Sequence, residues 1–169
     1  KPKPAMRTAP FGRIAGGGGD GENRRHAHTA SNAREGSTTM RTLYEGGTFF
    51  EGPRWHDGAW WVSDFYTQRV LRITPDGAAT TAATVPEQPS GLGWLPDGRL
   101  LIVSMKDRRL LRQEADGRLV QHADLNALTT GRINDMVVDA QGRAYVGNFG
   151  FDLFAGGPPA TANLVMVTP

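Results

Sequence analysis

Cysteine is absent from the 169 residues, which removes disulfide scaffolds, thiol catalysis and thiolate metal sites together. Histidine is scarce, and four residues leave little for a histidine-rich zinc centre. No apolar run approaches the roughly 20 residues that span a bilayer, and no basic start leads into an apolar signal segment. A soluble, cytoplasmic product with no membrane partner is therefore the expectation. Two catalytic signatures are missing as well. The glycine tract at 16–19 is followed by no P-loop lysine, and no G-x-S-x-G elbow or recognisable His/Asp partner accompanies Ser90.

Glycine and proline, 22 and 11 residues, make up about a fifth of the chain, enough to imply many turns but short of a low-complexity composition. The hydrophobic fraction of 38% allows a core. The net charge of +2 suggests a mild preference for acidic partners until it is mapped along the chain. Residues 1–41 hold eight basic side chains against three acidic ones, and the remainder holds eleven against fourteen. The body lacks a basic stripe, so nucleic acid is not an expected partner. In residues 1–40, Phe11 and Ile14 are the only large apolar side chains apart from Met6 and Met40. Such a segment buries too little to offset its ordering entropy. A disordered basic Gly/Arg-rich extension is expected there, with Met40 as a candidate start before the first patterned strand.

From residue 42 onward the turn signals repeat. Asp57-Gly58, Asp97-Gly98 and Gln141-Gly142 are 40 and then 44 residues apart, and Asp76-Gly77 and Asp116-Gly117 are also 40 apart. Between them lie Ala59–Ser63, Arg69–Ile73, Leu100–Ser104 and Arg143–Gly147, short runs whose β-branched and aromatic content predicts hairpin strands. Four strands in about 40 residues is the unit of a propeller blade. The predicted fold is all-β, a β-propeller of about three blades at 43–85, 86–125 and 126–169, the partial domain running over 41–169. The four tryptophans, Trp55, Trp60, Trp61 and Trp94, are expected in blade packing, and His56 in an exposed turn. Ser63-Asp64 and Ser104, ending second strands, are expected either at the channel rim or in hairpin closure.

Aligned on their turns, Glu51, Ser90 and Asn134 occupy one equivalent position at the start of each innermost strand. In a propeller those positions converge on the axis. A carboxylate, a hydroxyl and a carboxamide facing one another suit a hard divalent cation. Equally, each of them can simply hydrogen-bond a turn or a channel water.

Phe50–Trp55 (FEGPRW), Pro89–Leu101 (PSGLGWLPDGRLL) and Gly131–Gly147 (GRINDMVVDAQGRAYVG) resemble the senescence marker protein/gluconolactonase family, also called regucalcin-like. The resemblance runs from about residue 43 to 169. It implies a six-bladed propeller, truncated here, that binds one divalent cation in its channel, Ca²⁺ first and Zn²⁺, Mn²⁺ or Mg²⁺ as alternatives, and hydrolyses sugar lactones and related esters. It further implies that Glu51 is a metal ligand and that Arg132 and Asn134 hold the substrate's oxygens. Asp152 falls where some members place another substrate-contacting carboxylate. The family's later Asn and Asp ligands, the Asp being the usual acid/base, have no counterpart, so no catalytic residue is assigned. The partners implied are a small-molecule lactone and, through open blade edges, a second copy of the chain. A non-catalytic propeller that binds a ligand or protein at its channel face is the competing reading.

Overall fold

The computed structural model describes residues 38–169, and every described strand lies in the compact unit Met40–Pro169. The extension expected over 1–40 therefore lies, as far as residue 37, outside the described residues. Eleven strands and no helix occur among the described residues. The first sheet is β1 (Phe50–His56), β2 (Ala59–Asp64), β3 (Arg69–Ile73) and β4 (Ala79–Thr84). The second is β5 (Pro89–Trp94), β6 (Leu100–Ser104), β7 (Arg109–Gln113) and β8 (Leu119–Asp124), and the third is β9 (Ile133–Val138), β10 (Ala144–Asn148) and β11 (Val165–Val167). Each sheet is an antiparallel meander of the propeller-blade type, with neighbours in chain order. No described helix is long and apolar enough to cross a membrane.

Turn chemistry accounts for the meanders. Asp57 and Gly58 both have positive φ, 46° and 69°, which makes the two-residue link between β1 and β2 a type I′ turn matched to strand twist. In the later Asp turns the carboxylate accepts a backbone N–H two residues on: Asp97 from Arg99 at 3.1 Å, Asp116 from Arg118 at 3.0 Å, Asp139 from Gln141 at 2.9 Å. Such side-chain caps hold the turn without help from tertiary packing.

The sheets stack through their faces, and the middle one is covered on both sides. Leu100 and Ile102 of β6 pack with Val70 and Val85, whereas Leu101 and Val103 pack with Met136, Val146 and Val165. That double burial explains why β6 reads as an unbroken apolar run. Two expectations fail. Trp61 and Trp94 do pack edge to face at 5.4 Å, but Trp55 and Trp60 are 53% and 41% exposed. They are cross-strand partners on the opposite face of the hairpin, in mutual edge contact at 5.0 Å, where no other sheet covers them. His56 is not a free turn residue: its ring stacks on Trp94 at 3.9 Å.

Asp64, at the end of β2, closes its hairpin and does more. Its buried carboxylate accepts from the Thr48 amide (3.0 Å) and hydroxyl (2.6 Å), the Phe49 amide (3.2 Å) and the Thr67 hydroxyl, and it pairs with Arg69 at 3.1 Å. Burial pushes its pKa up, but the Thr48 and Thr67 hydroxyls and the Thr48 and Phe49 amides outweigh burial and hold it far below the usual value. Native Asp64 thus contributes stability that is complete above its ordinary value of 3.8 and is lost as pH falls toward the depressed one. Asp64→Ala is expected to destabilise the fold by about 3 kcal/mol in urea unfolding near neutral pH, since five donors, Arg69 among them, lose a buried anion. The variant should also show a flatter decline of stability below pH 4 than the parent chain.

Candidate functional site

One irregularity recurs in every sheet. Glu51 pairs with Ser63 and Arg54 with Trp61; Pro89 pairs with Ser104 and Leu92 with Ile102; Ile133 pairs with Asn148 and Met136 with Val146. Each first strand advances three residues while its partner advances two, so β1, β5 and β9 each carry a bulge at the same level. A bulge bends the strand and re-aims its side chains. Gly52, with φ of 57°, supplies the left-handed residue in β1. Gly91 serves a different need: a Cβ there would overlap the Met136 amide nitrogen and lie 2.8 Å from the Asp135 carbonyl carbon.

The bulges bring Glu51, Ser90 and Asn134 together. The Ser90 hydroxyl lies 2.6 Å from Glu51 Oε2 and 2.9 Å from Asn134 Oδ1. Ser90 is buried, and its own carbonyl accepts from the Ser63 hydroxyl at 2.6 Å. A serine hydroxyl has one proton, so it cannot donate to both oxygens. It satisfies Glu51. The carboxamide then either presents its NH₂ to Ser90 or, in the observed orientation, leaves three oxygens converging. Three oxygens including one carboxylate suit Ca²⁺, Mg²⁺ or Mn²⁺ in type, yet fall short of the six to eight that Ca²⁺ takes. No group of three or more His, Cys, Asp or Glu side chains placed to hold a metal ion occurs among the described residues, and the set at Ser90 contains a single carboxylate.

A second feature lies at the same end of the sheets. Lys106, Arg108, Thr130, Gly131, Arg132 and Asp152 line a cleft of about 240 Å³. Arg132 enters β9 two residues before Asn134, with its guanidinium over the Phe154 ring at 3.9 Å and 3.5 Å from Gln88 Oε1. Phe154 belongs to the long β10–β11 loop and stacks on Phe65 of the first sheet, 6.2 Å between centroids. Asp152 Oδ1 accepts the Phe154 and Ala155 amides, both at 3.1 Å. Arg132 and Asp152 thus share the cleft, while Glu51 and Asn134 meet at Ser90.

Several contributors carry no sequence signal. Arg54 Nη2 donates to Asp135 Oδ1 at 2.6 Å and to the Met136 carbonyl at 2.8 Å, clamping β1 to β9. Its partners are more than 80 residues away, a separation no spacing rule marks. The turn pair Lys106 and Arg108 is equally silent, whereas Ser63, which the pattern places at the channel rim or in hairpin closure, donates across to the Ser90 carbonyl of the second sheet. Ser90→Ala is expected to destabilise the chain by about 1–2 kcal/mol in chemical denaturation, since it leaves Glu51 and Asn134 without their shared partner. Gly91→Ala should cost about 1–3 kcal/mol, because β9 must shift to admit the methyl.

Residues 49–169 match the family model described as the SMP-30/Gluconolactonase/LRE-like region. Curated proteins yield no significant match. Among solved structures, a gluconolactonase from Xanthomonas campestris is 25% identical, with a TM-score of 0.63 over 76% of this chain and 46% of that one. A putative gluconolactonase is 24% identical, with a TM-score of 0.60 over 76% and 48%. A calcium-binding regucalcin from Agrobacterium tumefaciens shares the fold at 19% identity, with a TM-score of 0.50 over 67% and 44%. The chain therefore spans about half the length of these relatives. With most of its residues inside the matched region, the chain belongs to the SMP-30/gluconolactonase/LRE-like family.

Proposed function

We propose that the chain forms three blades, over about 43–85, 86–125 and 126–169, of a six-bladed propeller that hydrolyses sugar lactones or related esters with one divalent cation. The observation that carries this reading is the meeting of Glu51 and Asn134 at Ser90, one side chain from each of three successive sheets. The likeness to the Xanthomonas gluconolactonase supports a lactone as substrate. The calcium-binding relative makes Ca²⁺ the first cation to test, before Mg²⁺, Mn²⁺ and Zn²⁺.

Glu51 would hold the cation, with Ser90 donating to Oε2 and so fixing the carboxylate's rotamer. When bound, the cation supplies Lewis acidity toward a carbonyl oxygen. Asn134 offers both a donor and an acceptor to sugar hydroxyls. Arg132 lays its guanidinium face on the Phe154 ring, and apart from the long Nη1 contact to Gln88 at 3.5 Å its N–H groups can make charge-assisted hydrogen bonds to substrate oxygens. Asp152 spends Oδ1 on its own loop and keeps Oδ2 for a substrate hydroxyl. Proton transfer is assigned to none of Glu51, Ser90, Asn134, Arg132 or Asp152, since each is given a binding or positioning role; a general acid or base contributes roughly 10²–10⁴ in rate.

Two measurements test the proposal. In a cation titration, Glu51→Gln is expected to weaken Ca²⁺ binding about tenfold or more with an unchanged circular dichroism spectrum, because one charged donor leaves an otherwise preformed set. An identical titration curve would remove Glu51 from the metal site. A lactone panel on a polypeptide that completes the ring should show hydrolysis abolished by chelation and restored by the cation. No turnover of any lactone with cation bound would overturn the lactonase reading and favour a non-catalytic binding module.

A further inference from the structure

Charge is unevenly paired across this protein. Seven of the described arginines, among them Arg54, Arg69 and Arg143, stand within 4.0 Å of a carboxylate. Lys106, Arg108 and Arg132 pair with no carboxylate among the described residues, and all three line the same cleft. Their partners are neutral. Arg108 Nη1 donates to the Thr129 carbonyl at 2.6 Å, and Arg132 has an aromatic face and an amide oxygen. The acidic residue between the first two, Asp107, is drawn toward Arg109 at 3.7 Å rather than into the cleft. Asp152, the one acid lining the cleft, has one oxygen engaged by loop amides. A chain that neutralises most of its arginines locally thus leaves three cations against one acid around a single concavity.

We propose that this cleft holds the anionic group, phosphate or carboxylate, of an acidic sugar derivative, so that the preferred substrates are lactones of sugar phosphates or sugar diacids rather than neutral aldonolactones. The inference rests on the lactone reading above and narrows its substrate class. Lys106 supplies a mobile point charge at the rim. Arg108 and Arg132, both half-buried, supply planar forks whose orientation is already set by Thr129 and Phe154, so less freedom is lost when an oxyanion arrives. At about 240 Å³ the cleft is smaller than the roughly 300–1,000 Å³ of drug-sized sites, a volume suited to one sugar unit. Thr130, beside the arginine, donates its hydroxyl proton to the Gly150 carbonyl at 3.0 Å and so offers the ligand an acceptor for a sugar hydroxyl rather than a donor for the anion.

Binding to the 169-residue chain, measured by calorimetry at low ionic strength, tests this without requiring turnover. The ligands are inorganic phosphate, glucose 6-phosphate, glucuronate and glucose. Both acidic sugars are expected to bind at least fivefold tighter than glucose, with affinity falling as salt rises. Phosphate binding alone, with no gain from the sugar, would overturn the substrate assignment and leave an anion site only. Lys106→Gln should weaken glucose 6-phosphate binding about three- to tenfold and leave glucose unaffected. Lys106→Glu should weaken it further. Lys106 is chosen because it is exposed and its side chain supports no other contact, whereas Arg108 also caps Thr129. Equal affinity for glucose and glucose 6-phosphate, or an unchanged affinity in Lys106→Glu, would refute the inference. Anion preference without lactone hydrolysis in the ring-completing polypeptide would sink the lactonase reading alone, and hydrolysis of neutral and acidic lactones with equal KM would sink this one alone.

Discussion

At Gly91 the backbones of β5 and β9 come so close that no side chain fits between them. Everything at the site end of the molecule depends on this approach. Ser90 and Asn134, 44 residues apart in sequence, reach 2.9 Å because the bulges that follow them lie at one level and the strands touch there. The same contact fixes the entry to β9, where Arg132 turns into the cleft. The Arg54 clamp on Asp135 and Met136 closes the arrangement from β1, so three sheets share one inner surface. Such apposition is maintained by the cores on both faces of the middle sheet, whose burial outweighs the strain of the bulges.

Charge is met locally at one end of the sheets and only in part at the other, where Asp64 pairs with Arg69 and Asp107 with Arg109 but further charged groups have no counter-ion. At the turn end, arginines meet acids nearby in sequence: Arg99 with Asp97 at 2.6 Å, Arg118 with Asp116 at 2.6 Å, Arg143 with Asp139 at 2.6 Å. Exposed pairs of this kind add little stability, but they leave no net field. At the site end, Glu51 has a hydroxyl partner, and Arg132 has an aromatic one. Charges without counter-ions cost solvation unless a ligand completes them. They are accordingly the groups on which a function can be built.

Local chemistry made the blades legible. Asp-Gly turns set hairpin geometry within a few residues, and alternation and apolar runs assign faces to strands, which is why the strands Arg69–Ile73 and Leu100–Ser104 have the bounds that their pattern predicts. The alignment of Glu51, Ser90 and Asn134 was legible for the same reason, since a constant repeat length places equivalent residues at one height. Trp55 and Trp60 misled because an aromatic pattern identifies a strand without saying whether its second face has a neighbour. Arg54 with Asp135, and Lys106 with Arg108 and Arg132, carry no periodic mark at all.

Strand, turn and repeat were thus determined by the sequence itself, through interactions spanning a few residues and a period of about 40. Only the tertiary structure decided that one serine proton faces two oxygens, that β1 is clamped to β9, and that three cations lack acidic partners around one cleft. These depend on how separate sheets stack, and stacking brings together side chains whose positions in the chain bear no fixed relation to one another.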